Sequence, residues 1–298
     1  MPGFKNIVLV GASGDIGKII LDGLVASSNF NITVLSRKES AASFPAGITV
    51  RKTDFSDTDL EVAFTGQDAV ISVLGVTAFG EQRKMVDAAV RSGVQRFLPS
   101  EFSVSSQNEA VLQLLPSFGE KKELIEYLKT KQSNSFSWTG IAASGLLDWG
   151  LGNGFLGFDV ASHTATIWDD GNKSITFTNE KQLGQAVVSV LQQPQETSNK
   201  YFYIASVETT QNEILAALEE TTRAKWSVKA TTTEEQVAEG VKKLGSGDIT
   251  GAFALARATC YGNIPGLRAN YAKEETLAND LLGLKFEPVK DTVKRIVA

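Results

Sequence analysis

A doubly wound α/β fold, with a Rossmann-type parallel sheet and a smaller C-terminal domain for substrate, is what this sequence predicts. Three observations point to it. The segment NIVLVGASGDIGK, Asn6 to Lys18, passes from a run of branched apolar residues through a glycine turn into a helical pattern. Strand-like and helix-like runs then alternate through the first half of the chain, which implies parallel strands joined by right-handed crossovers. After Trp149 the texture changes to glycine- and aromatic-rich segments, as in LGNGFLGFD. The reading is residues 1–148 as a dinucleotide-binding domain and 149–298 as a substrate domain that sends elements back to the main sheet.

The strands are expected at Asn6 to Val10, Asn31 to Leu35, Ile48 to Lys52, Ala69 to Leu74, Arg96 to Pro99 and Ser137 to Ala143. Helices are expected over Asp15 to Ala26, Asp57 to Phe64, Glu81 to Ser92 and Glu120 to Lys131. Asp57 and Asp59 sit where a helix dipole favours acids, and Gly93 is a C-terminal stop. Beyond Trp149, DDGNKS at 169–174 reads as a turn. Glu180 to Leu191 and Gln211 to Thr221 read as helices, YFYIAS at 201–206 as a strand, and YGNIPG at 261–266 as a loop. Sheets of this kind bind ligands at the carboxyl ends of their strands. Those ends fall at Gly11, Arg37, Asp54, Leu74-Gly75, Ser100-Glu101 and Ser144.

The glycines at 11, 14 and 17 form G-x-x-G-x-x-G. Gly11 permits the turn, Gly14 lets a pyrophosphate approach the backbone, and Gly17 allows close helix–strand packing. Ser13, Asp15 and Ile16 complete this candidate cofactor loop, whose N–H groups and positive helix end converge on one point. The second strand ends in Ser36-Arg37-Lys38, where an NAD-preferring fold usually carries an acid. Arginine there pairs bidentately with a 2′-phosphate and Lys38 adds a second positive charge, so NADP(H) is the expected cofactor.

Composition narrows the alternatives. Of 298 residues, 42% are hydrophobic and 21% charged, as in ordinary globular proteins. A net charge of −5 argues against nonspecific nucleic-acid binding. Cys260 is the only cysteine and His163 the only histidine, so a thiolate metal cluster is excluded and a Ser-His-Asp or zinc site would lean on one residue. The short N-terminal apolar stretch runs into the glycine loop and is not a signal peptide, and no apolar run reaches membrane length. A cytoplasmic protein without membrane or nucleic-acid partners is expected.

Two candidate proton donors share one helix. Leu124, Ile125 and Leu128 define its apolar face, which continues backward onto Lys121. A lysine there, buried at the positive helix end, has a lowered pKa suited to general acid–base work. Tyr127 and Lys131 form Y-x-x-x-K, the spacing at which short-chain dehydrogenases set a tyrosine acid beside a lysine, and Ser100 could complete that set. Aromatic residues at Phe79, Phe102, Phe118, Trp149, Phe155 and Phe158 suit a flat hydrophobic substrate. Phe102, Trp149 and Phe155 are the candidate substrate contacts.

VLVGASGDIGK, the VLSRK strand end, SGVQRFLPSEF at 92–102 and F-x-x-K at Phe118–Lys121 resemble the isoflavone reductase-like, NmrA-type group of atypical short-chain dehydrogenases. GLLDWGLGNG and WDDGNKSITFTNEKQLGQAVVSVL are similar to its fungal members. The resemblance implies an NADPH-dependent reductase of a small phenolic or other secondary metabolite, with the motif lysine that matches Lys121 as the catalytic residue. It also implies a nicotinamide region at Leu74, Gly75, Ser100, Glu101, Phe102 and Lys121. Ala143-Ser144-Gly145 departs from the asparagine that plant reductases tend to carry after the sixth strand, which argues against isoflavone and lignan substrates. Some relatives bind dinucleotide without turnover and regulate protein partners; a retained Lys121 favours the enzyme.

Overall fold

The structure is a computed structural model and describes residues 3–297. Its contacts divide the chain into two units. The first takes the chain up to Phe102 together with Gly119–Ile141 and Leu183–Phe202, and the second takes Ser103–Phe118, Ala142–Gln182 and Tyr203 onward. The 148/149 boundary thus sits within a segment counted with the second unit, while residues 183–202 return to the first.

The first unit is built on β1 (Asn6–Val10), α1 (Asp15–Ser27), β2 (Asn31–Arg37), β3 (Thr49–Thr53), α2 (Asp57–Phe64), β4 (Ala69–Ser72), α3 (Gln82–Arg91) and β5 (Arg96–Leu98). A short helix α4 (Glu109–Leu114) belongs to the second unit, and α5 (Gly119–Lys131) and β6 (Ser137–Ala142) continue the first. The sheet runs Lys200–Tyr203, β6, β5, β4, β1, β2, β3, and β6 through β3 pair in parallel. Chain order reverses between β4 and β2 on either side of β1, which opens a crevice at the carboxyl ends of these strands.

Each element follows from its residues. The branched run in β1 alternates faces, and Val8 and Val10 join a core with Leu35, Phe64, Val70, Met85 and Phe97. Leu124, Ile125 and Leu128 of α5 bury in that same core, confirming the helix face read from their spacing. α2 starts at Ser56, whose side chain accepts from the Asp59 N–H. α1 and the helix Glu180–Gln192 meet at glycines: a Cβ on Gly23 would lie 2.7 Å from the Gly184 Cα.

Arg96 opens β5 with only 1% of its surface exposed. Its Nε donates to Ser137 Oγ at 2.8 Å, Nη1 to Thr139 Oγ1 at 2.8 Å and to Thr197 Oγ1 at 2.9 Å, and Nη2 to the Pro194 carbonyl at 2.5 Å. Burial pushes the guanidinium down to about 10, so it is still a cation at neutral pH.

In the second unit, Val207–Thr209, Ile175–Thr178 and Gly145–Leu146 form one small sheet, and Ser227–Thr231, Thr164–Trp168 and Phe158–Asp159 another. Helices Gln211–Thr222 and Thr233–Gly245 both begin with capping boxes, Thr210 with Glu213 and Thr232 with Glu235. The core gathers Phe158, Trp168, Phe177, Ile214, Leu218 and Tyr261. One expectation changes here, and two further features were not assigned from the sequence. The strand expected over YFYIAS is shorter: Lys200–Tyr203 edges the large sheet, Ile204–Ser206 are not strand, and a separate strand, Val207–Thr209, follows in a small sheet. The glycine-rich segment after Leu146 opens with a helix, Leu147–Gly152, because Leu147 and Leu151 bury on one side. Thr164–Trp168 and Ser227–Thr231, unassigned from sequence, pair in parallel.

The α1 crossing yields a stability test. Gly23→Leu pushes a side chain into backbone that cannot yield. Overpacking of about 1–3 kcal/mol outweighs a helix-propensity gain of at most about 1 kcal/mol. The urea midpoint should fall with an unchanged m-value.

Candidate active site

The crevice is lined from strand ends. A cavity of about 420 Å³ is bounded by Gly11 to Gly14 after β1, Leu35 to Arg37 with Ser40 and Phe44 after β2, Phe55 after β3, and Val73 to Gly75 after β4. The three loop glycines have separate jobs. Gly11 has φ +86°, and a Cβ there would meet the Val73 carbonyl oxygen at 2.1 Å. A Cβ on Gly17 would meet the Gly11 carbonyl oxygen, also at 2.1 Å. Gly14 is different: its nearest neighbour would be 3.6 Å away, so its openness serves something other than the protein's own packing. No side chain caps the N-terminus of α1, which leaves its first-turn N–H groups for a ligand. Ser13 and Gly14 line the cavity, whereas Asp15 and Ile16 lie just inside α1 and Gly17 packs beneath the turn.

Arg37 and Lys38 part company. Arg37 lines the cavity and is three-quarters exposed, with Glu39 3.7 Å from its Nε. An exposed pair at that distance is weak, so the guanidinium is available. Lys38 instead donates to Asp54 Oδ2 at 2.8 Å, with Asp59 at 3.9 Å. The hydrogen bond to Asp54 raises the lysine, and the same bond holds the Asp54 carboxyl well below its usual range. The second positive charge expected beside Arg37 is therefore committed to Asp54.

Further along the sheet edge, Ser100 Oγ donates to the Leu74 carbonyl and its N–H to Gln82 Oε1, each at 2.8 Å. Gln82 is fully buried and ties the start of α3 to the end of β5. Sequence reasoning gave it no role; its one signal is an amide at the start of a helix whose face is otherwise apolar. Glu101 N–H closes a tight turn onto the Pro99 carbonyl at 2.7 Å, and the next residue, Phe102, has φ +22°. A non-glycine residue in that region is strained, a condition that collects at functional sites.

Lys121 lies against this turn. Only 4% of it is exposed, its Nζ donates to the Glu101 carbonyl at 3.1 Å and lies 4.7 Å from the Phe79 ring centroid. Burial lowers its pKa, the Glu101 charge pulls it back up, and the balance is about 8. The Y-x-x-x-K pair is arranged otherwise. Tyr127 Oη donates to Asp87 Oδ1 at 2.5 Å, Lys131 Nζ pairs with the same oxygen at 2.8 Å, and Arg83 covers the Tyr127 ring at 4.1 Å. Burial raises Asp87, but the bonds from Lys131 and Tyr127 leave it below its ordinary value. Tyr127 and Lys131 thus gather on α3 while Ser100 is bonded to Leu74, so the three are not brought together.

Of the aromatic residues, Phe102 is buried and Phe158 is core of the second unit. Trp149 and Phe155 are half-buried in that unit with centroids 5.3 Å apart, and Phe253 meets Phe155 edge-on at 6.0 Å.

Among the described residues no helix is long and apolar enough to cross a membrane. A family model described as the NmrA-like family matches residues 4–264. Oxidoreductase aprR of Aspergillus flavus is 35% identical over 296 residues, 98% of this chain and 98% of that protein. Oxidoreductase poxI of Penicillium oxalicum is 32% identical over 289 residues, 96% of this chain and 92% of that protein. Among solved structures, that of AtPrR2 with NADP+ and (+)pinoresinol superposes with a TM-score of 0.80 at 20% identity, covering 100% of both chains. With the glycine loop, the sheet order and these relatives in agreement, the chain belongs to the NmrA-like family and is an oxidoreductase of the isoflavone reductase-like kind.

Proposed function

We propose that this protein is a cytoplasmic, NADPH-dependent reductase of a small aromatic or polyketide-like metabolite, with Lys121 as its proton-handling group. The observation that carries the reading is a lysine almost wholly buried at the carboxyl edge of a dinucleotide-type sheet, its pKa lowered by burial to about 8. A regulator that only binds dinucleotide has no need of a group so tuned.

The cavity residues fit a dinucleotide. The uncapped N-terminus of α1 and the open space at Gly14 would receive a pyrophosphate, and Arg37 on the rim would pair with a 2′-phosphate. When bound, the cofactor supplies a hydride from its nicotinamide. Ser100 and Gln82 hold the Leu74 and Ser100 backbone in place beside that region. Lys121, as an ammonium, gives a proton to the oxygen or carbon that becomes electron-rich.

The reading is tested by following NADPH oxidation against a panel of quinones, enones and phenolic ketones. NADPH should bind at least about ten-fold better than NADH, about 1.4 kcal/mol, and Arg37→Asp should erase or reverse the gap; equal dissociation constants in the wild type would count against it. Gly14→Val should abolish NADPH binding with an unchanged circular dichroism spectrum.

Lys121→Ala should lower turnover by about 10²–10⁴ while NADPH affinity changes little. Because the ammonium is the donor, wild-type turnover should fall as pH rises through about 8. Tyr127→Phe should leave turnover within a few-fold and cost about 1 kcal/mol of stability through its lost bond to Asp87. A dead Tyr127→Phe beside an active Lys121→Ala would reverse the assignment. NADPH binding with no turnover on any of these substrates would favour the regulator.

A further inference from the structure

Tyr201 stands on the edge strand Lys200–Tyr203, in a position the sequence marks only as part of an alternating run. Its ring occupies space that another residue gives up. A Cβ on Gly140, in the middle of β6, would lie 2.7 Å from Tyr201 Cδ2 and 3.1 Å from Cε2. From that seat the phenol donates to Glu101 Oε2 at 2.7 Å. Glu101 is itself 2% exposed, and its main-chain carbonyl accepts from Lys121 Nζ at 3.1 Å. One buried residue thus takes a hydrogen bond from Tyr201 on its side chain and one from Lys121 on its backbone.

We propose that Tyr201 is a positioning residue for Lys121 and acts on it through Glu101. The phenol fixes the Glu101 carboxylate, and the fixed carboxylate holds the strained turn at Glu101–Phe102 and the place of the ammonium against it. The proposal rests on Lys121 as the proton-handling group. It goes beyond the lysine by assigning its electrostatic setting to a tyrosine on a different strand.

The surroundings of Lys121 make Glu101 the charge that matters. On its own helix Glu120 is exposed and Lys122 half-buried. Before α3, Glu81 is paired with Lys84 at 2.9 Å. On α3, Asp87 is engaged by Tyr127 and Lys131, and Arg83 lies over the Tyr127 ring. On the edge strand Lys200 is exposed, and Phe79 sets its uncharged ring 4.7 Å from the Lys121 Nζ. Glu101 is the group whose charge raises Lys121 against the effect of burial. A donated hydrogen bond favours a charged carboxylate. Its removal takes one donor from the carboxylate and loosens its placement, which weakens the negative potential at Lys121 and makes the ammonium easier to deprotonate.

The test is an NMR titration of the Lys121 side chain in cofactor-free protein carrying ¹³C- and ¹⁵N-labelled lysine, the signal being assigned by its loss in Lys121→Met. Tyr201→Phe keeps the ring in its seat and removes only the hydroxyl; the Lys121 midpoint should move down by about 0.5–1 pH unit. Glu101→Gln should move it further in the same direction, and the double variant should match Glu101→Gln alone. The alkaline limb of the turnover profile should follow the same shifts. An unchanged midpoint in Tyr201→Phe, with Glu101→Gln shifted, overturns the proposal, as does full additivity in the double variant. A shifted midpoint beside an active Lys121→Met supports the Tyr201–Glu101 link and overturns only the catalytic role of the lysine.

Discussion

Two backbone approaches around Gly11 are the constraint on which the rest depends. The Val73 carbonyl lies where a side chain on residue 11 would be, and the Gly11 carbonyl lies where one on residue 17 would be. These contacts bring the end of β1 against the end of β4 and seat α1 directly behind the turn. Nothing larger than hydrogen is tolerated at either point. The crevice, the uncapped helix end and the opening at Gly14 are all consequences of that seating. The rim is then dressed by side chains that are free to differ, such as Arg37 and Lys38.

The other half of the site rests on a different principle, burial balanced by polar contact. Lys121 reaches the sheet because the apolar stripe of α5 packs Leu124, Ile125 and Leu128 into the core and carries the first turn inward with it. A buried ammonium is costly without compensation. The Glu101 carbonyl, the Glu101 charge and the Phe79 ring provide it. Burial still wins the contest, and the lysine is left near the pH at which proton transfer is useful.

Much of this was legible in the sequence because the relevant forces are local. The glycine spacing specifies a strand–turn–helix, the branched runs specify buried strands, and the position of Lys121 on the α5 stripe specifies its direction. The capping boxes at Thr210 and Thr232 could have been read from T-x-x-E. Other features depended on pairings between distant segments. Thr164–Trp168 and Ser227–Thr231 become strands by pairing with each other and, for the former, with Phe158–Asp159. Lys38 resembled a phosphate ligand until Asp54, sixteen residues on, was seen to take it. Gln82 and Tyr201 matter through single hydrogen bonds to Ser100 and Glu101, which no periodicity records.

The Arg96 guanidinium ties one edge of the sheet to a segment far along the chain. It binds hydroxyls on β6 and, 101 residues further on, Thr197 together with the Pro194 carbonyl. Without that late segment, burying this cation would leave two of its four hydrogen bonds unmade, a cost comparable to other unsatisfied buried donors. The β5–β6 side of the sheet therefore has its full set of polar partners only once the segment at 194–197 is in place. A chain shortened before residue 194 would lack the acceptors for Nη2 and one of those for Nη1 on this buried cation.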